Sequence, residues 1–102
     1  MLFDTLVLFI KPTCSSCRAT RPLVHELHRR VRRFKVYDVS ENPDLFYAGL
    51  LPQLRATGQL RAPATVPMIV VFNYKAQPVL YTGPRECESI LRFYSKVLRD
   101  IL

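Results

Sequence analysis

Cys14 and Cys17 stand two residues apart in Lys11-Pro-Thr-Cys-Ser-Ser-Cys-Arg18. A pair at this spacing has three chemical uses: a metal clamp, a structural staple or a redox couple. A zinc site built on it would draw on His25 and His28. Those two are separated by only two residues, against the roughly three to five usual between paired histidine ligands. A staple suits a chain oxidised throughout, but Cys87 makes the cysteine count odd, at three, and three do not make a disulfide framework. A redox couple needs one sulfur as thiolate, which is the nucleophile. An ordinary thiol, with a pKa of about 8.5, is only a few per cent ionised at neutral pH. The anion must therefore be favoured locally, and each unit of pKa lowering reflects about 1.4 kcal/mol of that preference. The redox reading asks least of the remaining residues, and no metal is expected.

The neighbouring elements decide whether such help exists. Thr5–Ile10 is a continuous apolar, β-prone run, as in a strand covered on both faces. Over residues 15–33, Leu23, Val24, Leu27 and Val31 recur at helical spacing, with Arg18, Arg21, His25, Arg29 and Arg32 on the opposite side. Cys14 is then the end of a strand and Cys17 lies in a helix's first turn, where free N–H groups and the positive end of the dipole stabilise a thiolate. Lys11 and Arg18 add positive charge. In this layout Cys14 is the attacking sulfur, and Cys17, one turn inward and shielded, is the resolving one.

Beyond the pair, Phe34–Val39 reads as a strand. Asn42-Pro43-Asp44 reads as a helix start, continued by Phe46, Leu50, Leu51 and Leu54, with Pro52 as a break or kink. Residues 58–64 read as a loop and Met68–Phe72 as a buried strand. A turn at residues 73–77 leads to a strand at Val79–Thr82, ended by Gly83-Pro84. Ile90, Leu91, Tyr94, Val97, Leu98 and Ile101 form the stripe of a last helix, with Cys87 at its start. The order βαβαββα combines parallel strands with a closing hairpin, and residues 1–102 are expected to form one domain.

Composition narrows the partners. Apolar residues make up 49 % of the chain, enough for a packed core, and no apolar run approaches a membrane span. No basic residue precedes the first apolar segment, and no small-residue cleavage site follows it. No signal peptide is therefore expected, and a reducing, cytoplasmic location is. Lys and Arg number 15 against 8 Asp and Glu, for a net charge of +7. Six arginines and one acid, Glu26, fall between Arg18 and Arg33, so most of that excess is local. Such a patch attracts acidic proteins, anionic small molecules or nucleic acid. No aromatic platform is interleaved with Arg29–Arg33, so nucleic acid is not expected and acidic protein substrates are. A monomer is expected.

The motifs in order resemble the thioredoxin-like superfamily of dithiol oxidoreductases. C-x-x-C after a strand and opening a helix is followed by Pro22, similar to the kink proline of thioredoxins and protein disulfide isomerase domains. Thr65-Val66-Pro67 before a strand resembles the cis-proline loop that faces the dithiol. Gly83 lies sixteen residues after Pro67, a thioredoxin-like spacing. Tyr81-Thr-Gly-Pro-Arg85 followed by Ile90 and Phe93 is similar to the end of a disulfide isomerase catalytic domain. The resemblance spans nearly the whole chain. It implies a mixed four-stranded sheet with helices on both faces, a redox-active Cys14–Cys17 disulfide, and protein thiols and disulfides as partners.

Other features are similar to glutaredoxins. The first strand read from the sequence is already the active-site strand. Lys11-Pro-Thr-Cys14 and Thr65-Val66-Pro67 are similar to the motifs that hold glutathione, with Thr57-Gly58-Gln59 a weaker echo. Lys11, Thr65, Val66 and Pro67 are thus the expected substrate-binding residues. No bound cofactor is expected, and glutathione is the candidate reductant. Some positions depart from both patterns. No tryptophan is present, Leu8 stands where thioredoxins place a buried acid, Ser15-Ser16 matches neither usual dipeptide, and the glycine pair of glutaredoxins has no counterpart. Two alternatives to a protein-disulfide oxidoreductase follow: a redox-inactive adaptor using the Pro67 groove and the basic helix, and a glutathione-dependent glutaredoxin.

Overall fold

The computed structural model of the protein describes residues 2–100; Ile101, expected on the last helix, lies outside them. Four strands form one sheet in the order β2-β1-β3-β4: β1 (Thr5–Ile10), β2 (Phe34–Asp38), β3 (Met68–Phe72) and β4 (Pro78–Tyr81). β1 runs parallel to β2, pairing Leu6 with Phe34 and Ile10 with Asp38. It runs antiparallel to β3, pairing Thr5 with Phe72 and Phe9 with Met68. The β3–β4 pair is an antiparallel hairpin. At its turn the Asn73 side chain accepts from the N–H groups of Lys75 and Gln77.

The two central strands are β-branched, leucine or aromatic at nearly every position because both of their faces are covered. Alternate residues serve opposite layers. Val7, Phe9, Val70 and Phe72 meet Phe46, Leu50 and Leu54 on one face. Leu6, Leu8, Ile69 and Val71 meet Leu27, Ile90 and Val97 on the other. Fully burying one such side chain is worth about 1.5–3 kcal/mol, so these two layers fix the strand ends against which the cysteines sit.

The helix expected over residues 15–33 is divided. α1 (Ser15–Arg18) is a single turn, and α2 (Arg21–Arg30) follows it. Pro22 has no N–H for the carbonyl of Arg18, and its ring would crowd that carbonyl. The chain therefore closes α1 and restarts with Pro22 in the first turn of α2, where proline fits. Both the N–H and the hydroxyl of Thr20 turn back to the Cys17 carbonyl, at 3.0 and 2.5 Å. α2 ends at Arg30 because Val31 is extended and buried, leading into β2.

Pro52 does not break its helix. Residues Asp44–Leu50 are wound as a π-helix, with the Leu51 N–H reaching the Phe46 carbonyl, and run straight into α3 (Leu51–Ala56). The wider winding ends one residue before α3 takes up Pro52 in its first turn, where a missing N–H is tolerated. The last helix, α4 (Cys87–Arg99), starts at Cys87 as the sequence suggests. β2 stops one residue earlier than read from the sequence, and β4 is displaced by one, including Pro78 and ending at Tyr81. Among the described residues no helix is long and apolar enough to cross a membrane.

Candidate active site

Cys14 is the residue immediately ahead of α1. Its backbone is extended (φ −88°, ψ 118°), and its sulfur accepts the Cys17 N–H at 3.2 Å. Cys17 is buried, at 5 % exposure, while Cys14 is partly open. The Lys11 backbone N–H points at the Cys17 sulfur, 3.5 Å away. From across the chain the Val66 carbonyl accepts from the Cys14 thiol at 3.6 Å. The Val66–Pro67 peptide bond is cis.

These contacts drive the two thiols apart. The Cys14 pKa is lowered, first by a hydrogen bond from the Cys17 thiol, then by the Cys17 and Ser16 N–H groups, with a smaller contribution from the Arg85 guanidinium. Burial pushes the Cys17 pKa up, and donating to Cys14 holds its proton further; the Lys11 N–H and Arg85 oppose this weakly. α1 is only one turn long, so local N–H donors stabilise the Cys14 anion rather than the long-helix dipole expected from the sequence. The cation within reach is also different. Arg85 acts on both sulfurs, whereas Lys11 meets the pair through its backbone.

The expected substrate-binding residues divide between the two sides of the pair. Thr65 and Pro67 line a groove of about 220 Å³, together with Leu60, Thr82, Gly83 and Arg85. Val66 touches Cys14 itself. The Lys11 side chain is elsewhere, lining a second cavity with Cys17. Gln59 of the Thr57-Gly58-Gln59 stretch is engaged in the fold. Its amide donates to the Pro78 carbonyl at 3.1 Å and accepts the Leu80 N–H at 2.8 Å, clamping β4.

Arg85 is the site residue that sequence reasoning passed over as a functional group. It was visible within Tyr81-Thr-Gly-Pro-Arg85, but only the fold brings residue 85 to the end of β1. The histidines also separate. His28 packs its edge on Phe34, with ring centroids 4.8 Å apart. His25 lines the same cavity as Cys17. Among the described residues no three His, Cys, Asp or Glu side chains gather as a metal-binding group. Leu8 is buried within the apolar layer below α2 and α4, so no carboxylate stands at that position to take a proton from Cys17.

The sheet order, the helices on both faces and the strand-end cysteine pair facing a proline loop together define a thioredoxin-like fold. Among solved structures, the crystal structure of the J-Trx1 fragment of ERdj5 is similar to this chain. The TM-score is 0.67 at 24 % identity, and the match covers 92 % of this chain and 42 % of that one. The chain thus spans less than half the length of that structure. No family model matches the sequence, and no curated protein does.

Proposed function

We propose that the protein is a thiol–disulfide oxidoreductase that exchanges electrons with protein disulfides through Cys14 and Cys17. The observation that carries this is the opposed tuning of two thiols in one turn: Cys14 lowered and partly exposed, Cys17 raised and buried. The Cys14 thiolate attacks one sulfur of a substrate disulfide. That S–S bond breaks, a mixed disulfide forms, and the departing substrate thiolate takes up a proton. Cys17 then loses its proton to water and attacks the Cys14 sulfur. The Cys14–Cys17 disulfide forms and the second substrate thiol leaves, so the substrate gains two electrons and the pair loses them. Two molecules of a thiol such as glutathione return the pair to the reduced state and become a disulfide. Thr65, Val66 and Pro67 are the substrate-contacting residues of this reading, and the Lys11 N–H steadies Cys17. The setting of this reading is a reducing compartment such as the cytosol, where a cysteine pair is more often catalytic or metal-binding than structural.

Insulin reduction in the presence of dithiothreitol tests the reading. The wild type accelerates precipitation of the insulin B chain, and Cys14→Ser abolishes that acceleration. A wild type with no acceleration over dithiothreitol alone leaves the thioredoxin-fold adaptor as the better account.

We further propose that the arginine-rich α2 face selects acidic substrates. Exposed charges are screened over about 8–10 Å at ordinary salt. Turnover of an acidic disulfide peptide is therefore expected to fall as salt rises, and turnover of a basic one is not. Equal salt sensitivity for the two removes the selection.

A further inference from the structure

The flank of the dithiol away from Pro67 carries a second opening. A cavity of about 290 Å³ lies between the end of β1, Val36 of β2 and the start of α2. Its floor is apolar, made by Ile10, Val24 and Val36, and Cys17 forms part of the wall. Its rim carries Lys11, Arg18, Arg21 and His25. Arg21 and His25, four residues apart on α2, lie on one side of it, and Arg18, the last residue of α1, lines the same cavity. Lys11 faces them from the strand end.

No carboxylate lines this cavity. Among the described residues the ion pairs are Arg29–Glu26 and Arg30–Glu88. Lys11, Arg18 and Arg21 therefore converge without an acidic partner. An inorganic anion would meet only the water-exposed rim, where each ion pair is worth little. A neutral apolar molecule would fill the floor and leave the cations unused. A molecule with both parts uses both, and the volume is near the lower end of small-molecule sites, about 300 Å³.

We propose that this cavity binds a small amphipathic anion: an apolar body of about one aromatic ring carrying a carboxylate, sulfonate or phosphate head. The body lies on Val24 and Val36, and the head sits between Lys11 and the Arg18/Arg21 pair. The occupant lies against Cys17 and leaves Cys14 and the Pro67 groove free. Binding needs no thiol chemistry, so it is measurable whether or not the protein reduces disulfides.

The test is an amide NMR titration of the reduced full chain with phenyl phosphate, run beside inorganic phosphate and benzyl alcohol. Phenyl phosphate is expected to shift the Cys17, Val24 and Val36 amides saturably, and at least about tenfold more tightly than either half-probe. Arg18→Gln combined with Arg21→Gln should weaken phenyl phosphate about fivefold or more and leave benzyl alcohol unchanged. Val36→Phe, which fills the floor from the other side, should weaken phenyl phosphate and leave inorganic phosphate unchanged. Equal responses to phenyl phosphate and inorganic phosphate would reduce the site to a diffuse basic surface and overturn the proposal. So would shifts confined to Thr65 and Gly83, or no saturable shift at all. The comparison of three probes on the wild type stands even if a variant fails to fold.

Discussion

On the Cys14 side of the α1 turn, the neighbours come from far along the chain: the Val66 carbonyl, the Thr65–Pro67 groove, Gly83 and Arg85. On the Cys17 side they are local: Ile10, Lys11, Arg18, Arg21, Val24 and His25, joined by Val36. The flanks also differ in what they do to a sulfur. The Cys17 thiol and the N–H groups of the α1 turn, with Arg85 adding least, favour an anion at Cys14, while burial and donation to Cys14 keep the proton on Cys17. One turn of helix thus separates a lowered, partly open thiol from a raised, buried one. It does so because the residue ahead of a helix is surrounded by unsatisfied donors, whereas a residue one turn in faces the core.

The largest effect should come from removing one sulfur at a time. Cys17→Ser leaves attack intact and stops release, so mixed disulfides with substrate should accumulate through Cys14 and appear as thiol-sensitive bands on non-reducing gels. Cys14→Ser should trap almost nothing. If the two variants trap partners equally, the flanks do not divide the roles.

A smaller effect tests how the distant flank is shaped. Tyr81 folds back so that its hydroxyl donates to the Pro84 carbonyl, and its ring packs on Phe93 with centroids 5.1 Å apart. A methyl group at Gly83 would lie 2.7 Å from the Tyr81 hydroxyl and 2.8 Å from Cζ. Gly83→Ala must therefore displace the ring, at a cost of about 1–3 kcal/mol. For a domain of this size each kcal/mol lowers Tm by about 4–8 °C. Gly49→Ala, whose nearest neighbour would be the Asp44 carbonyl at 3.6 Å, is the control and should not lower Tm. A Gly83→Ala protein that melts with the wild type would show that this turn does not depend on the Tyr81 contact.

The same division explains what was legible in the sequence. The strands and the cysteine turn follow from apolar runs and local spacing, so Thr5–Ile10, Met68–Phe72 and the start of α4 at Cys87 were readable directly. Thr65, Val66 and Pro67 were readable only through resemblance, since nothing local ties residue 66 to residue 14. The break at Ala19–Thr20 was missed because the spacing of the basic residues Arg18, Arg21 and His25 continues across it, although Pro22 carried the signal. The π-wound residues before Pro52 keep a helical apolar pattern, so periodicity does not report the change of winding. Arg85 was hidden for a geometric reason: a charge acts through space, and its distance from Cys14 is set by the whole sheet.

The smallest expected effect separates hydrogen bonding from charge at Cys14. The hydrogen bond from the Cys17 thiol is the largest cause of the lowered Cys14 pKa, and Arg85 is the least of those acting on it. Lowering means that Cys14 stays ionised, and so reactive, at pH values below the ordinary thiol range. Reactivity is lost as pH falls through the lowered value. Removing any stabilising group moves that loss to higher pH. Cys17→Ala should move the Cys14 alkylation profile furthest, because it takes away the leading donor while leaving the backbone N–H groups. Arg85→Gln should move it in the same direction by less. At Cys17 the two perturbations part company: Arg85 lowers that thiol and a Cys14 anion raises it. Arg85→Gln should therefore shift Cys17 labelling upward in pH, while Cys14→Ala should shift it downward. Iodoacetamide, being neutral, reads these profiles without itself being steered by the arginine. If Arg85→Gln moves Cys14 further than Cys17→Ala does, long-range charge rather than the local turn holds the anion.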